Sequence, residues 1–269
     1  MIATLLLSAA FAAQPAVFEP VQLKVNAGDK FVYTSESKTD ANSDSGQGSF
    51  SATVKSRSSI EFTGSAEGWF HAKETILEYS NDSNSPGADM MGDPKGMVAT
   101  YDVSPFRKIK DWKVAEPGNL TSDQADAFQA NGAGEAKAGM DSLIFPEDGI
   151  TEGSTWEFEH EPGNGGMPGM KSTTTGKVKT AYTAGSFSGT GSDRTLTINA
   201  KTTGSFTVDI DSPNGQFSID VDVDMKSTYT VRAKDGIVTK FVADGTRHMS
   251  TQFGEFSLNV KTTTELVKS

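Results

Sequence analysis

Three histidines, two runs of alternating carboxylates and two groups of methionines are the side chains whose types could do chemistry. His71, His160 and His248 are far apart, and each falls in a stretch that reads as a strand or a strand end. A nucleophile, base and carboxylate would have to assemble across the fold. The chain has no cysteine. Gly185-Ser186-Phe187-Ser188-Gly189 has the outline of a nucleophile elbow, but Phe187 occupies the place of the nucleophile.

Glu157, Glu159 and Glu161 alternate along one segment, and Asp220, Asp222 and Asp224 alternate with Val221, Val223 and Met225 along another. Acid–base catalysis needs two carboxyls facing each other across a substrate. Strict period-two alternation instead describes the solvated outer face of a half-buried strand. The run from Asp209 to Gly215 begins like a calcium loop, but Pro213 stands at the third ligand position and Gly215 comes one place late. Met90, Met91 and Met97 share one loop, and Met167 and Met170 share another. Thioethers can hold copper(I) or form an adaptable apolar lid. With no histidine beside them, they read as gap-filling residues of ordinary loops. No metal and no cofactor is expected, and the expected protein is not an enzyme.

Composition narrows the partners. The formal net charge is −11. Such a surface repels nucleic acid and anionic headgroups but admits apolar ligands. Residues 2–11 form a short apolar run, followed by the small residues of Ala10-Phe11-Ala12. This reads as a signal peptide over 1–12, although no Lys or Arg precedes it. With no cysteine to acylate, the expected location is periplasmic or extracellular, without a lipid anchor or stable membrane insertion. With no disulfide either, stability must come from the sheet.

The elements that must position these residues are mostly strands. Alternation and turn signals predict strands over 30–36, 49–63, 69–79, 98–103 and 108–114. After residue 154 they predict a second series reaching 267. Pro213-Asn214-Gly215 reads as a hairpin turn. Residues 119–141 are the only convincing helical segment. Thr121 and Gln124 have capping-box spacing, and Asn131-Gly132-Ala133-Gly134 is expected to interrupt the helix.

The pivot is the stretch from Phe145 to Trp156, with a turn at Glu152-Gly153 and a new strand led by Trp156. A weaker copy runs from Leu23 to Phe31. Thr100-Tyr101-Asp102-Val103 matches Thr228-Tyr229-Thr230-Val231, and Ile109 and Ile237 each follow eight residues after the tyrosine. Trp112 and Lys240 then disagree in face, and a bulge is needed to reconcile them. One β domain over 13–269 is expected, built of pseudo-repeats 22–118 and 149–269 joined by a helical segment 119–148.

The Gly-x-x-Trp opening of the second half and the Gly-x-x-Phe opening of the first resemble a family of uncharacterised secreted bacterial β-rich proteins. The order of elements is similar to the half-barrels of periplasmic lipoprotein carriers such as the LolA and LppX groups. That resemblance implies acyl chains held between a curved sheet and a helix. The expected fold is mainly β: a duplicated antiparallel half-barrel with a helical plug or cover. The expected function is a binding or carrier protein for an apolar, lipid-like ligand. The alternative is a structural or surface-associated interaction protein. The expected ligand-binding residues are Trp156, Phe31, Phe128, Tyr101 and Tyr229. Trp156 is expected to anchor the sheet against the helix near Phe128, and Phe31 to play the same part in the first half.

Overall fold

The computed structural model describes residues 21–43, 49–84, 92–138, 143–163, 168, 170–212, 215–252 and 254–268. The signal peptide expected over 1–12 and three of the loop methionines (Met90, Met91 and Met167) lie outside the described residues.

The strands follow from alternation. Along Gly215–Arg232, Val221, Val223 and Met225 are buried while Asp220, Asp222 and Asp224 face outward. The chain builds β1 (Lys30–Ser43), β2 (Phe50–Ala66), β3 (Trp69–Ser83), β4 (Val98–Val103) and β5 (Ile109–Glu116) before the helix α1 (Ser122–Ala138). After it come β6 (Thr155–His160), β7 (Lys171–Ser188), β8 (Thr195–Ser212), β9 (Gly215–Arg232), β10 (Ile237–Thr251) and β11 (Gly254–Lys268). All are neighbours in one antiparallel sheet of eleven strands, ordered β5-β4-β3-β2-β1-β11-β10-β9-β8-β7-β6. Among the described residues the protein is mainly β, with an open sheet and one α-helix. The two series of strands join at a seam between β1 and β11.

The sheet is strongly curled, and two hydrogen bonds prove it. The Leu23 amide donates to the Pro105 carbonyl at 2.7 Å, and the next amide, Lys24, donates to the Asp235 carbonyl at 3.0 Å. Pro105 lies in the β4–β5 turn and Asp235 in the β9–β10 turn. In a flat sheet five strand spacings of ~4.8 Å would put β4 and β10 about 24 Å apart. Successive amides of an extended chain point to opposite sides, so residues 23–24 lie between the two turns and tie them together. Gly236 lets this happen. Its φ is +67°, and a Cβ there would meet the Gln22 carbonyl oxygen at 2.5 Å. The result is a trough whose turn end is bridged by the leading segment.

Two apolar clusters fill that end. In one, Val21, Leu143, Phe145 and Ile150 lie against Tyr182, Leu196, Ile198, Val223 and Val231 of β7, β8 and β9. In the other, Leu23 and Val25 lie against Phe31, Phe62, Val103 and Ile237. The Phe145 amide donates to the Phe106 carbonyl at 3.1 Å, fixing the 143–150 segment to the β4–β5 turn.

The helix takes a different place from the one expected. The capping box forms, with the Thr121 amide donating to Gln124 Oε1 at 3.0 Å and the Gln124 amide donating to Thr121 Oγ1 at 3.4 Å. The helix then continues through Asn131-Gly132-Ala133-Gly134, with Gly132 seated on the Trp112 ring, which leaves no room for a Cβ. Its packing partner is β5, the edge strand of the sheet. Gln129 completes the contact: it accepts from the Val114 amide at 2.7 Å and donates to the Trp112 carbonyl at 3.1 Å. A bare strand edge offers such groups to other chains, and α1 occupies them. The extended segments 21–25 and 143–145 cover the apolar clusters of the concave face.

Two fifth strands share a detail. Tyr101 stands on the fourth strand before the helix and Tyr229 on the fourth after it. The register of β4 with β5 breaks next to Asp111, and that of β9 with β10 breaks at Thr239, each ten residues after its tyrosine.

Candidate ligand cavity

Between the concave face and its cover lies a cavity of about 380 Å³. Such a volume falls in the range of small-molecule sites, which combine apolar walls with a few convergent polar groups. Phe31, Ile60, Phe62, Val103, Ile109, Ile237 and Phe241 give the apolar walls. Leu23 and Leu143 close the turn end. Alternation explains the arrangement: every second residue of β1, β2 and β3 faces inward, so Tyr33, Ser58, Glu74 and Ile76 reach the same space.

Three of the five expected residues meet there. Phe31 is buried and meets Phe62 edge-on, ring centroids 6.1 Å apart. Tyr101 contributes from β4. Tyr229 is buried, tilted on Phe241 at 4.9 Å. Trp156 and Phe128 are elsewhere. Trp156 stands on β6, the opposite edge of the sheet from α1; it lies flat on Tyr182 and donates its Nε1 hydrogen to the Ile144 carbonyl at 2.8 Å. The anchor expected between Trp156 and the helix is thus made to the linker after the helix. Phe128 is half-buried on α1 beside β5.

The polar lining was not expected. Glu74 keeps part of its surface open to the cavity, yet its carboxyl is enclosed by protein, and burial raises its pKa against a hydrogen bond from Ser58. Burial likewise lifts Tyr101 well above the ordinary phenol value, with the Glu74 charge adding to it, and raises Tyr33. Arg107 enters from the β4–β5 turn and donates Nε to the Leu143 carbonyl at 3.2 Å. No sequence motif marks Glu74 or Arg107. The cover was more visible: Val21-x-Leu23-x-Val25 alternates, and Leu143-Ile144-Phe145 is apolar.

The other chemical candidates take structural places. Glu157 and Glu159 pair with Lys179 and Lys177, each at 2.7 Å. Asp222 and Asp220 accept from Ser205 and Thr207 across β8 and β9 at 2.5 and 2.7 Å. Asp209 accepts from Ser218 at 2.6 Å. These are outer-face ladders. His71 meets Asp102 directly across β3 and β4 at 2.6 Å, on the face away from the cavity. His160 is buried against Phe158, and burial lowers its pKa. Among the described residues no group of three or more His, Asp or Glu side chains could hold a metal ion. Among them, too, no helix is long and apolar enough to cross a membrane.

No protein-family model matches the chain, and no curated protein matches it. Solved structures do. A structure described as lipid–protein interactions in lipovitellin aligns with a TM-score of 0.51 at 13% identity, over 94% of this chain and 26% of that one. The chain therefore spans about a quarter of that protein's length, and the likeness concerns the fold. An outer membrane channel from Pseudomonas putida F1 aligns at a TM-score of 0.34 with 9% identity, over 91% of this chain and 97% of that one. OmpF of Salmonella typhi, in complex with daunomycin, aligns at 0.32 with 7% identity, over 90% and 99%. Neither of those two scores carries an argument about this chain.

Proposed function

We propose that this protein is an exported, non-enzymatic carrier of an apolar, lipid-like ligand. The observation that carries the reading is the cavity of about 380 Å³, walled by Phe31, Ile60, Phe62 and Phe241 and covered by two extended segments. A structural protein with no small ligand would fill that space with side chains, since interiors are packed to near crystal density. Two further observations are compatible with it. The lipovitellin structure aligned with this sheet concerns lipid–protein interactions. The carrier half-barrels of the LolA and LppX groups use a curved sheet in the same role. Export rests on the apolar run and small residues at 1–12, and a periplasmic or extracellular location follows from it. We also read the domain as a duplicated unit, 22–118 and 149–269. The matched breaks beside Asp111 and at Thr239 support this reading.

Native mass spectrometry of protein purified from its own host tests the carrier reading. The expected result is a stoichiometric lipid-sized adduct that organic extraction removes. In the recombinant protein, Ile76→Trp should fill the cavity and abolish uptake of laurate and methyl laurate alike. A protein that carries no adduct and takes up neither probe is not a carrier.

A further inference from the structure

The cavity is richer in hydrogen-bond donors than an apolar ligand needs. Its polar lining includes Arg107, Tyr33, Tyr101, Ser58 and Glu74. Arg57 pairs with Glu78 at 3.0 Å, and Arg232 with Asp235 at 2.9 Å. No carboxylate among the described residues lies within ion-pair distance of Arg107. Its single described side-chain hydrogen bond uses Nε and leaves the terminal guanidinium nitrogens to the cavity.

The backbone holds it there at a cost. Arg107 has φ +65°, a region that residues with a Cβ enter rarely. The turn enforces it: the Arg107 amide donates to the Ser104 carbonyl at 2.9 Å, the Ser104 amide to the Lys108 carbonyl at 2.9 Å, and the Lys108 amide to Ser104 Oγ at 3.0 Å. Strain of this kind persists where the surroundings over-determine it, and it concentrates at binding sites.

The neighbours complete a donor set. The Tyr33 and Tyr101 hydroxyls make no hydrogen bond to another described residue, and both line the same space. Glu74 is the one acid in the lining. Burial raises its pKa, and a hydrogen bond from Ser58 works against that rise.

We propose that Arg107, with the Tyr33 and Tyr101 hydroxyls, receives the carboxylate of a single-chain fatty acid whose tail lies against the apolar walls. This rests on the carrier reading and names its ligand class. A planar guanidinium matches a carboxylate through two parallel N–H donors. One fixed cation and two neutral hydroxyls suit a single negative charge rather than the dianion of a phosphate monoester.

Calorimetric titration of the unaltered protein with laurate and with methyl laurate tests it. The two probes share a chain and differ in the charge of the head. Laurate should bind at least about tenfold tighter, as loss of a charge-assisted pair predicts. Arg107→Gln should leave ester binding in place and bring the two affinities within about twofold. Tyr101→Phe, which keeps the ring, should narrow the gap in part. Equal affinity for acid and ester in the unaltered protein overturns the headgroup assignment and leaves the carrier reading standing. A gap that survives Arg107→Gln also overturns it. Binding of neither probe overturns this inference, and together with the lack of an adduct on the native protein it overturns the carrier reading as well. If Arg107→Gln does not fold, the acid–ester ratio of the unaltered protein and Tyr101→Phe decide the question.

Discussion

Trp156 lies flat on Tyr182, ring centroids 5.2 Å apart and planes 11° from parallel, while its indole N–H reaches the Ile144 carbonyl at 2.8 Å. One side chain on the edge strand β6 thus binds both the next strand and the linker that covers the cavity. Trp156→Ala removes a large ring from a partly buried site, and such changes cost about 3 kcal/mol or more. Trp156→Phe keeps an aromatic face and loses the hydrogen bond, worth about 1 kcal/mol. Urea unfolding should rank the midpoints as wild type, then Phe, then Ala. Equal midpoints for Phe and Ala would show that the ring contact contributes nothing.

Tyr182 sets an alkaline limit. Burial pushes its pKa from 10.0 to about 12. The folded state therefore keeps its proton through a range in which the unfolded chain loses it. The stabilising difference is fully present below pH ~10 and is lost as pH rises through ~12, to a maximum of about 3 kcal/mol. Tyr33 and Tyr101 are raised in the same direction and steepen the loss. Unfolding midpoints measured from pH 8 to 11 should fall, and the fall should be shallower in Tyr182→Phe. Identical slopes in the two proteins would refute this.

Gly236 tests the bridge across the trough. Its positive φ and the Gln22 carbonyl beside it exclude a Cβ. Gly236→Ala should cost more than about 1 kcal/mol, because alanine is strained at that φ and must also displace residues 22–24. Hydrogen exchange at the Leu23 and Lys24 amides should accelerate more than exchange in β8. If exchange at those two amides is unchanged, the leading segment does not depend on this glycine.

The strands were legible because burial and alternation are local. Asp220, Asp222 and Asp224 against Val221, Val223 and Met225 declare a strand and its faces at once. The capping box at Thr121 and Gln124 was equally local. The position of α1 was not. Gly132 looks like a helix breaker in sequence, and only the Trp112 ring beneath it shows why a glycine belongs inside the helix. The cavity was half legible. Phe31, Tyr101 and Tyr229 are aromatic and stand out, whereas Glu74 and Arg107 come together only through the curl of the sheet. Trp156 stands out as well, and it turned out to hold the linker rather than the cavity.

The seam between β1 and β11 has a kinetic consequence. Its hydrogen bonds join residues far apart in sequence, such as Ser35 and Thr264, whose hydroxyl oxygens are 3.0 Å apart and which are separated by 229 positions. Pairings of that range close late, and proteins dominated by them fold slowly. Until β11 is available, β1 presents a long unpaired edge in what becomes the middle of the sheet. Such an edge templates association with other chains. Refolding should therefore be slow and concentration-sensitive, with capture of β1 by β11 as the committing step.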